Sequence, residues 1–196
     1  MDNFLDISQY CGILYEIRII MTNKNHNYKN FNEWTWENFS IPPKILNLKD
    51  FIIKNYDRGR IFHIGTDSKV YWKKTIFATA LIAHNTATGG EIAIHKDKDL
   101  AEFSSLRQRL IMETMRTLET AWYLDSVLPP DGKIRLHIDV NNEIKFKSGH
   151  YKEELVGMIM GQGYVSYKDV KDDDHKKVVF WKPDSWAASS VADKRT

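Results

Sequence analysis

Apolar residues change their spacing near residue 60, and this change separates a predicted helix from predicted strands. In "IPPKILNLKDFIIKNYDRG", apolar residues recur at roughly helical spacing after a Pro-Pro start. Three β-rich runs follow: "RIFHIGTDS", "KKTIFATALIAHN" and "GEIAIHKDK". Short links separate them, and Gly89-Gly90 is a turn signal. The pattern predicts a helix and then an antiparallel meander of three strands.

The second half of the chain alternates helices with strands. "DLAEFSSLRQRLIMETMRTLETAWYLDSVL" has no Gly or Pro before Pro129 and predicts a long helix, followed by a strand in "GKIRLHIDVN". "SGHYKEELVGMIMGQGY" predicts a second helix with Ser148 as its N-cap. A strand, a charged loop, a strand and a short helix in "PDSWAASSVADK" complete the order β-β-β-α-β-α-β-α. This order predicts an α/β (α+β) domain with a mixed five-stranded sheet and flanking helices over residues 45–196.

Residues 1–44 look least like part of a domain. "MTNKNHNYKNFNEWTWENFS" is polar, rich in Asn and aromatic residues, and has no clear period. We interpret residues 1–44 as an N-terminal extension. Because Met21 follows the apolar run "CGILYEIRII", it is a candidate start, which would make residues 1–20 dispensable.

Composition narrows the class of protein. A chain of 196 residues suits one domain, and a net charge of +2 does not by itself indicate a nucleic-acid binder. The single cysteine, Cys11, excludes an internal disulfide, and no Cys/His cluster indicates zinc. No apolar run approaches membrane-spanning length, and "MDNFLDISQY" does not resemble a signal peptide. The expected location is the cytoplasm.

Asp67 follows a buried-strand pattern in "RIFHIGTDSK". A buried carboxylate is costly unless it is paired, hydrogen-bonded or bound to a cation. Asp67 is therefore either a turn residue, as Asp-Ser commonly is, or one part of a charged site.

Glu113 lies within the apolar stripe of the long predicted helix, three residues after Leu110 and four before Thr117. A glutamate on a packing face needs a partner. Pairing with Arg109 or Arg116 near the surface is the simple alternative to a functional site.

Asp139 and Asp193 follow the later elements. Asp139 alternates with apolar residues in "LHIDVN", so it is either an outward residue or a carboxylate at the active end of the sheet. Asp193 ends a helix of small residues that can approach the sheet closely, although a frayed terminal carboxylate is the alternative.

Together, the four carboxylates can converge on one end of a sheet. Like charges at short range repel, and hard divalent cations such as Mg²⁺ or Mn²⁺ resolve that repulsion with oxygen ligands. Two such ions about 4 Å apart suit phosphodiester cleavage. The pattern indicates a two-metal site, which is the basis for a nuclease hypothesis.

Element order and carboxylate order together resemble the RNase H-like superfamily. "IGTDSK", "RLIMET", "LHIDVN" and above all "KPDSWAASSVADK" are similar to the bacterial YkuK family, described as predicted RNase H-like nucleases. The resemblance covers roughly residues 45–196. It implies acidic site residues at Asp67, Glu113, Asp139 and Asp193, with Asp184 as the rival for the fourth place. In such a site Asp67 would be the central ligand that bridges both metals. Glu113 and Asp139 would complete one metal each way, and Asp193 or Asp184 would hold the second metal. Lys69 stands where the family often has Gln, and "KDVKDDDHKK" is an inserted charged loop.

A nuclease would need further side chains around the metals. Candidates that orient ligands or water are Thr66, Ser68, His137 and Asn141. Candidates for phosphate contacts are Lys69, Lys73, Lys74, Lys145 and Lys147. Candidates for stacking on bases, all with packing as the alternative, are Trp34, Trp36, Tyr71, Trp72, Trp181 and Trp186.

Three functions remain open at this stage. The first is a metal-dependent nuclease acting on RNA, an RNA–DNA hybrid or structured DNA. The second is a non-catalytic nucleic-acid-binding module, and the third is a regulatory protein that uses the fold as a scaffold. A compact carboxylate cluster favours the first, whereas a cluster splayed apart with Glu113 paired to arginine favours the third.

Overall fold

The computed structural model describes residues 34–38, 44–72, 74–100, 103, 105–171 and 174–192. The proposed extension up to residue 33, Lys73 and Asp193 lie outside the described residues. No helix in the described ranges combines the length and the apolar character that a membrane crossing requires.

The described residues form eight β-strands, three α-helices and three shorter helical segments. The strands are β1 Trp36–Asn38, β2 Lys44–Leu46, β3 Ile61–Tyr71, β4 Lys74–Asn85, β5 Gly89–Leu100, β6 Ile134–His137, β7 Val165–Ser166 and β8 Lys177–Phe180. The α-helices are α1 Leu48–Tyr56, α2 Leu106–Val127 and α3 Lys152–Met160. Two 3-10 segments, Lys147–Tyr151 and Tyr167–Asp169, and a C-terminal π-helix, Ala187–Ala192, complete the set.

All eight strands join one mixed sheet in the order β2-β1-β5-β4-β3-β6-β8-β7. Strands β3, β4 and β5 form the predicted antiparallel meander, while β6 pairs parallel with both β3 and β8. The predicted α/β class with flanking helices is confirmed. The described part of the sheet has eight strands rather than five. Strand β1 lies where the sequence shows no clear period, and β2 lies at the start of the run whose spacing predicted a helix. Strand β7 is the strand predicted before the charged loop, which the five-strand order did not count.

Helices cover both faces of the sheet. On one face, α2 packs Met115 and Leu118 into a core with Phe62, Ile64 and Leu136. On the other face, Ala187 and Ala192 of the π-helix pack against Ala78, Ala80 and Ile82 of β4. These alanines let the π-helix backbone lie close to the sheet, as the run of small residues predicts.

Three helix starts differ from the sequence prediction. Helix α1 begins at Leu48 rather than directly after the Pro-Pro pair, because Lys44–Leu46 form β2 and Asn47 caps the helix. Helix α2 begins at Leu106 rather than near Asp99, because β5 continues to Leu100 and Ser105 caps the helix, its hydroxyl accepting from the backbone N–H of Gln108 at 3.1 Å. Ser148 does not cap α3. Its hydroxyl instead accepts from the side-chain amide of Asn141 at 3.0 Å, which ties the loop after β6 to the 3-10 segment before α3.

Arg116 and Asp97 form a buried ion pair between α2 and β5. Their nitrogen and oxygen atoms are 3.0 Å apart, and both side chains are almost fully buried. The Arg116 guanidinium also lies 4.5 Å from the centroid of the Phe77 ring. Removing one partner of such a pair leaves a buried charge uncompensated.

Asp97→Asn is therefore expected to lower the free energy of unfolding by about 3 kcal/mol. Urea denaturation of the variant and the wild type measures the change. Asp125→Asn is the matched control, because it breaks the partly exposed pair with Lys177 and is expected to cost less than about 1 kcal/mol. Equal losses in the two variants would show that burial of the Arg116 pair carries no special weight.

Candidate active site

Strand β3 directs alternate side chains to the two faces of the sheet. Thr66 and Ser68 face α2: the Thr117 hydroxyl donates to Thr66 Oγ1 at 3.0 Å, and the Ser68 hydroxyl donates to Glu113 Oε1 at 2.5 Å. Asp67 lies between them and pairs in register with Ala78, which packs on the π-helix. Asp67 therefore emerges on the face opposite α2, where it is half-buried.

Glu113 is buried against the sheet, with 7% of its surface exposed. Burial is the largest cause of the shift that raises its pKa to about 8, and the charges of Asp67 and Asp139 also raise it. The Ser68 hydrogen bond and the charge of Arg109 act in the opposite direction. Glu113 consequently holds a proton at neutral pH while it is surrounded by two other carboxylates.

Asp139 lies two residues after His137, the last residue of β6. His137 pairs in parallel with Gly65, so two residues further along the same register Asp139 comes beside Asp67. Asp139 forms an ion pair with Lys182, just after β8. Asp139 and Glu113 also line one narrow gap beside Thr114, and that gap is too small to hold a water molecule.

The structure thus brings three of the predicted residues into electrostatic contact without forming a compact ligand set. Within the described ranges, no three His, Cys, Asp or Glu side chains are arranged to hold a metal ion. The fourth predicted ligand, Asp193, lies outside the described residues. Its rival Asp184 is exposed and hydrogen-bonds Tyr167, whose pKa rises to about 12, chiefly through burial and then through this bond.

The sequence offered an ion pair of Glu113 with Arg109 or with Arg116, and the structure treats the two arginines differently. Pairing with Arg116 is wrong, because Arg116 is turned toward Asp97. Arg109 donates to Ser68 Oγ at 3.4 Å and affects Glu113 through its charge. Ser68 therefore links Glu113 to Arg109, so the closest recorded partner of Glu113 is a hydroxyl group.

The other residues predicted to orient ligands contact different groups. Thr66 bonds to Thr117 and Thr79, which connects β3 to α2 and β4. Asn141 bonds to Ser148. Of this set, Ser68 is the one with a recorded bond to a predicted ligand.

A pair of histidines lies on the π-helix side of the sheet. His137 Nδ1 accepts from the backbone N–H of Trp186 at 3.3 Å, so its Nε2 carries the proton and donates to His63 Nδ1 at 3.0 Å. Burial, followed by the charges of His63 and Arg135, lowers the pKa of His137 well below its usual range. The two histidines tie the start of the π-helix to β3 and β6, two residues before Asp139 on the β6 side.

Sequence reasoning missed Lys182, which carries the positive charge nearest to Asp139. Lys182 belongs to the motif "KPDSW", but its partner lies 43 positions earlier in the chain. Only the parallel pairing of β6 with β8 brings the two residues together. No local signal in the sequence marks this contact.

The donor chemistry fits a hard divalent cation. Carboxylate oxygens are the ligands that Mg²⁺ and Mn²⁺ prefer, and a cation would offset the charges of Asp67 and Asp139 that, after burial, raise the pKa of Glu113. At present a proton on Glu113 and the ammonium group of Lys182 offset this negative charge. Glu113 must lose this proton and Lys182 must leave Asp139 before all three carboxylates can bind one metal centre.

Comparison with known proteins places this fold in a class. The family model described as Ribonuclease H-like matches residues 45–196, which include every element from β3 to the π-helix. The chain is also 30% identical over 166 residues to "Uncharacterized protein YkuK" of Bacillus subtilis (strain 168), covering 76% of this chain and 86% of that protein. This chain therefore belongs to the YkuK family of RNase H-like proteins. No solved structure matches it significantly.

Proposed function

We propose that the protein is a metal-dependent nuclease that cleaves phosphodiester bonds of RNA, RNA–DNA hybrid or structured DNA. Asp67, Glu113 and Asp139 would hold Mg²⁺ or Mn²⁺, with Asp193 as the fourth ligand. The RNase H-like family match supports the nuclease class of fold. It does not by itself supply an activity, which must be argued from the site.

One observation carries the proposal: the raised pKa of Glu113. A fold that needed Glu113 only for packing would gain stability from an apolar residue there, because burying a carboxyl among other carboxylates is unfavourable. Here burial and two carboxylates from separate strands together bring the pKa to about 8. A buried carboxyl whose pKa is strongly raised, with two further carboxylates close enough to act on it, is a candidate for a functional site.

The residues have distinct tasks under this proposal. Divalent ions, when bound, supply an activated water and stabilise the leaving oxygen. Asp67 and Asp139 hold negative charge at adjacent positions of parallel strands, and the Ser68 hydroxyl fixes the orientation of Glu113. To hold a metal, Glu113 would have to release its proton to solvent, and Lys182, once separated from Asp139, would be available for a substrate phosphate.

The ion pair between Lys182 and Asp139 favours a second candidate. A lysine that neutralises a predicted ligand, next to a gap too narrow for water, is also suited to a non-catalytic nucleic-acid-binding or regulatory module. In that case Glu113 stays protonated and the carboxylates bind no metal. Isothermal calorimetry with Mg²⁺ and Mn²⁺ separates the candidates, because only the nuclease requires metal binding.

The proposal is tested by cleavage of a substrate panel. The panel contains single- and double-stranded RNA and DNA, an RNA–DNA hybrid and a four-way junction, each with Mg²⁺, Mn²⁺ or EDTA. Cutting that requires metal would establish the nuclease and identify its substrate class. Intact substrates under all conditions, together with salt-sensitive binding, would favour the binding module.

A further inference from the structure

The tip of the β3–β4 hairpin exposes two large aromatic side chains. Trp72 is 85% exposed and Tyr71 is 62% exposed, and their ring centroids lie 6.4 Å apart. Water contact with so much aromatic surface is unfavourable, and packing of the described core does not require it. Adjacent exposed aromatics are typical of binding surfaces.

The backbone conformation at Trp72 is one that a tryptophan rarely adopts. Tyr71 pairs with Lys74, so Trp72 is the first residue of a two-residue turn. Its φ is +58°, and it is the only described non-glycine residue with a positive φ. Gly, Asn or Asp is favoured at such a position, whereas a bulky side chain is strained there. Folding alone therefore favours a different residue, and strain of this kind is common at functional positions.

The hairpin face that carries Tyr71 also carries Asp67. Side chains alternate along β3, so Asp67, Lys69 and Tyr71 share one face, and Lys74 lies opposite Tyr71 on the neighbouring strand. Lys69, Tyr71 and Lys74 are exposed. The distance along the strand from Asp67 to the turn is roughly 16 Å, at about 3.3 Å per residue. A carboxylate, two lysines and two aromatics thus follow one another along an open strip.

We propose that this strip binds a single-stranded segment of nucleic acid, with Tyr71 and Trp72 stacking on unpaired bases and Lys69 and Lys74 contacting phosphates. Aromatic rings alternating with cations suit this ligand, because each nucleotide has a flat base and a negative phosphate. Paired bases in a duplex do not offer their faces for stacking, so the strip favours unpaired strands. This binding does not depend on the proposed nuclease function. Its role in guiding a strand toward Asp67 rests on the proposed nuclease function.

The test uses a labelled single-stranded oligonucleotide in EDTA, where cleavage cannot occur, with affinity measured by fluorescence anisotropy at fixed salt. Trp72→Ala and Trp72→Gly are expected to weaken binding about tenfold or more, as loss of one stacked base does. Trp72→Gly is also expected to melt at the same or a higher temperature, because glycine relieves the strain of a positive φ. Trp122→Ala is the matched control, since Trp122 is 40% exposed on α2, and it should bind as the wild type does.

Several outcomes would overturn the inference: no strand binding by the wild type, wild-type affinity in both Trp72 variants, or loss of folding in Trp72→Gly. Equal loss of affinity for a duplex of the same sequence would also contradict it, as would a defect seen with anionic lipid vesicles but not with the oligonucleotide. Failure of the nuclease proposal is distinguishable. A wild type that binds the strand through Trp72 but cuts nothing supports this inference and overturns only the activity.

Discussion

Asp67→Asn is expected to reduce metal-dependent cleavage at least about a thousandfold while leaving the fold as stable as the wild type or more so. Under the proposed function the rate falls because asparagine lacks the charge with which Asp67 would hold a divalent ion. Stability is kept because asparagine has the shape of aspartate and its introduction removes one of two negative charges, those of Asp67 and Asp139, that lie beside each other. Initial rates on the best substrate of the panel and thermal melts measure the two effects.

The matched control makes the same chemical change at an exposed carboxylate. Asp174 has a side chain that is 93% exposed, so Asp174→Asn is expected to change neither rate nor melting temperature. If Asp67→Asn unfolds the protein, Asp67 is needed for the fold, as a residue within β3 and not as the turn residue that the sequence offered as an alternative. If Asp67→Asn cuts at the wild-type rate, Asp67 is not a metal ligand.

Stability is expected to fall as pH rises between about 5 and 8, because of Glu113. Its pKa is 4.5 when unfolded and about 8 when folded, so the folded state binds more protons in this window. The stabilisation from that proton is fully present below the unfolded pKa and is lost as pH rises through the folded pKa. The expected slope is roughly 1 kcal/mol for each pH unit.

Glu113→Gln isolates this contribution from other titrating groups. Glutamine stays neutral at all pH values, so the variant should lack the Glu113 slope and exceed the wild type in stability at pH 9. Urea denaturation at several pH values, without divalent metal, measures both curves. Glu153→Gln on the exposed side of α3 is the control and should follow the wild type. A Glu113→Gln curve parallel to that of the wild type would show that Glu113 does not carry the raised pKa.

Metal should oppose the same pH effect if the three carboxylates form its site. A divalent ion binds the ionised form of Glu113, so adding Mg²⁺ or Mn²⁺ is expected to stabilise the wild type most at high pH. This outcome connects the stability measurement to the proposed function. An equal effect of metal on Glu113→Gln would place the ion elsewhere.

Much of the fold could be predicted from the sequence by itself. The three-strand meander, the long helix α2 and the β-α-β order after it follow from local periodicity, which depends on the nearest few residues. The same periodicity predicted Glu113 on a packing face, which the structure confirms. The prediction of Asp67 at a strand end is wrong, because β3 continues for four residues beyond it, and Asp139 lies two residues after the end of β6. The sequence motifs were also sufficient to indicate the RNase H-like family, which the comparisons confirm. The metal-ligand roles of these carboxylates stay predictions.

The tertiary structure alone decided which side chains meet. Lys182 forms an ion pair with Asp139 because β6 and β8 are paired. Arg116 forms its ion pair with Asp97 and not with Glu113. The hydrogen-bond partner of Glu113 is the hydroxyl group of Ser68 and not an arginine. Strands β1 and β2 form by pairing with each other and, through β1, with β5, although no strand pattern marks their own sequences. Trp72 adopts its positive φ because the register of β3 and β4 leaves two residues for the turn. The local spacing of apolar residues determines which segments form helices and strands. Strand register and helix packing then bring residues that are distant in the chain into contact. The charge of the candidate site depends on these long-range contacts, so the sequence by itself did not reveal it.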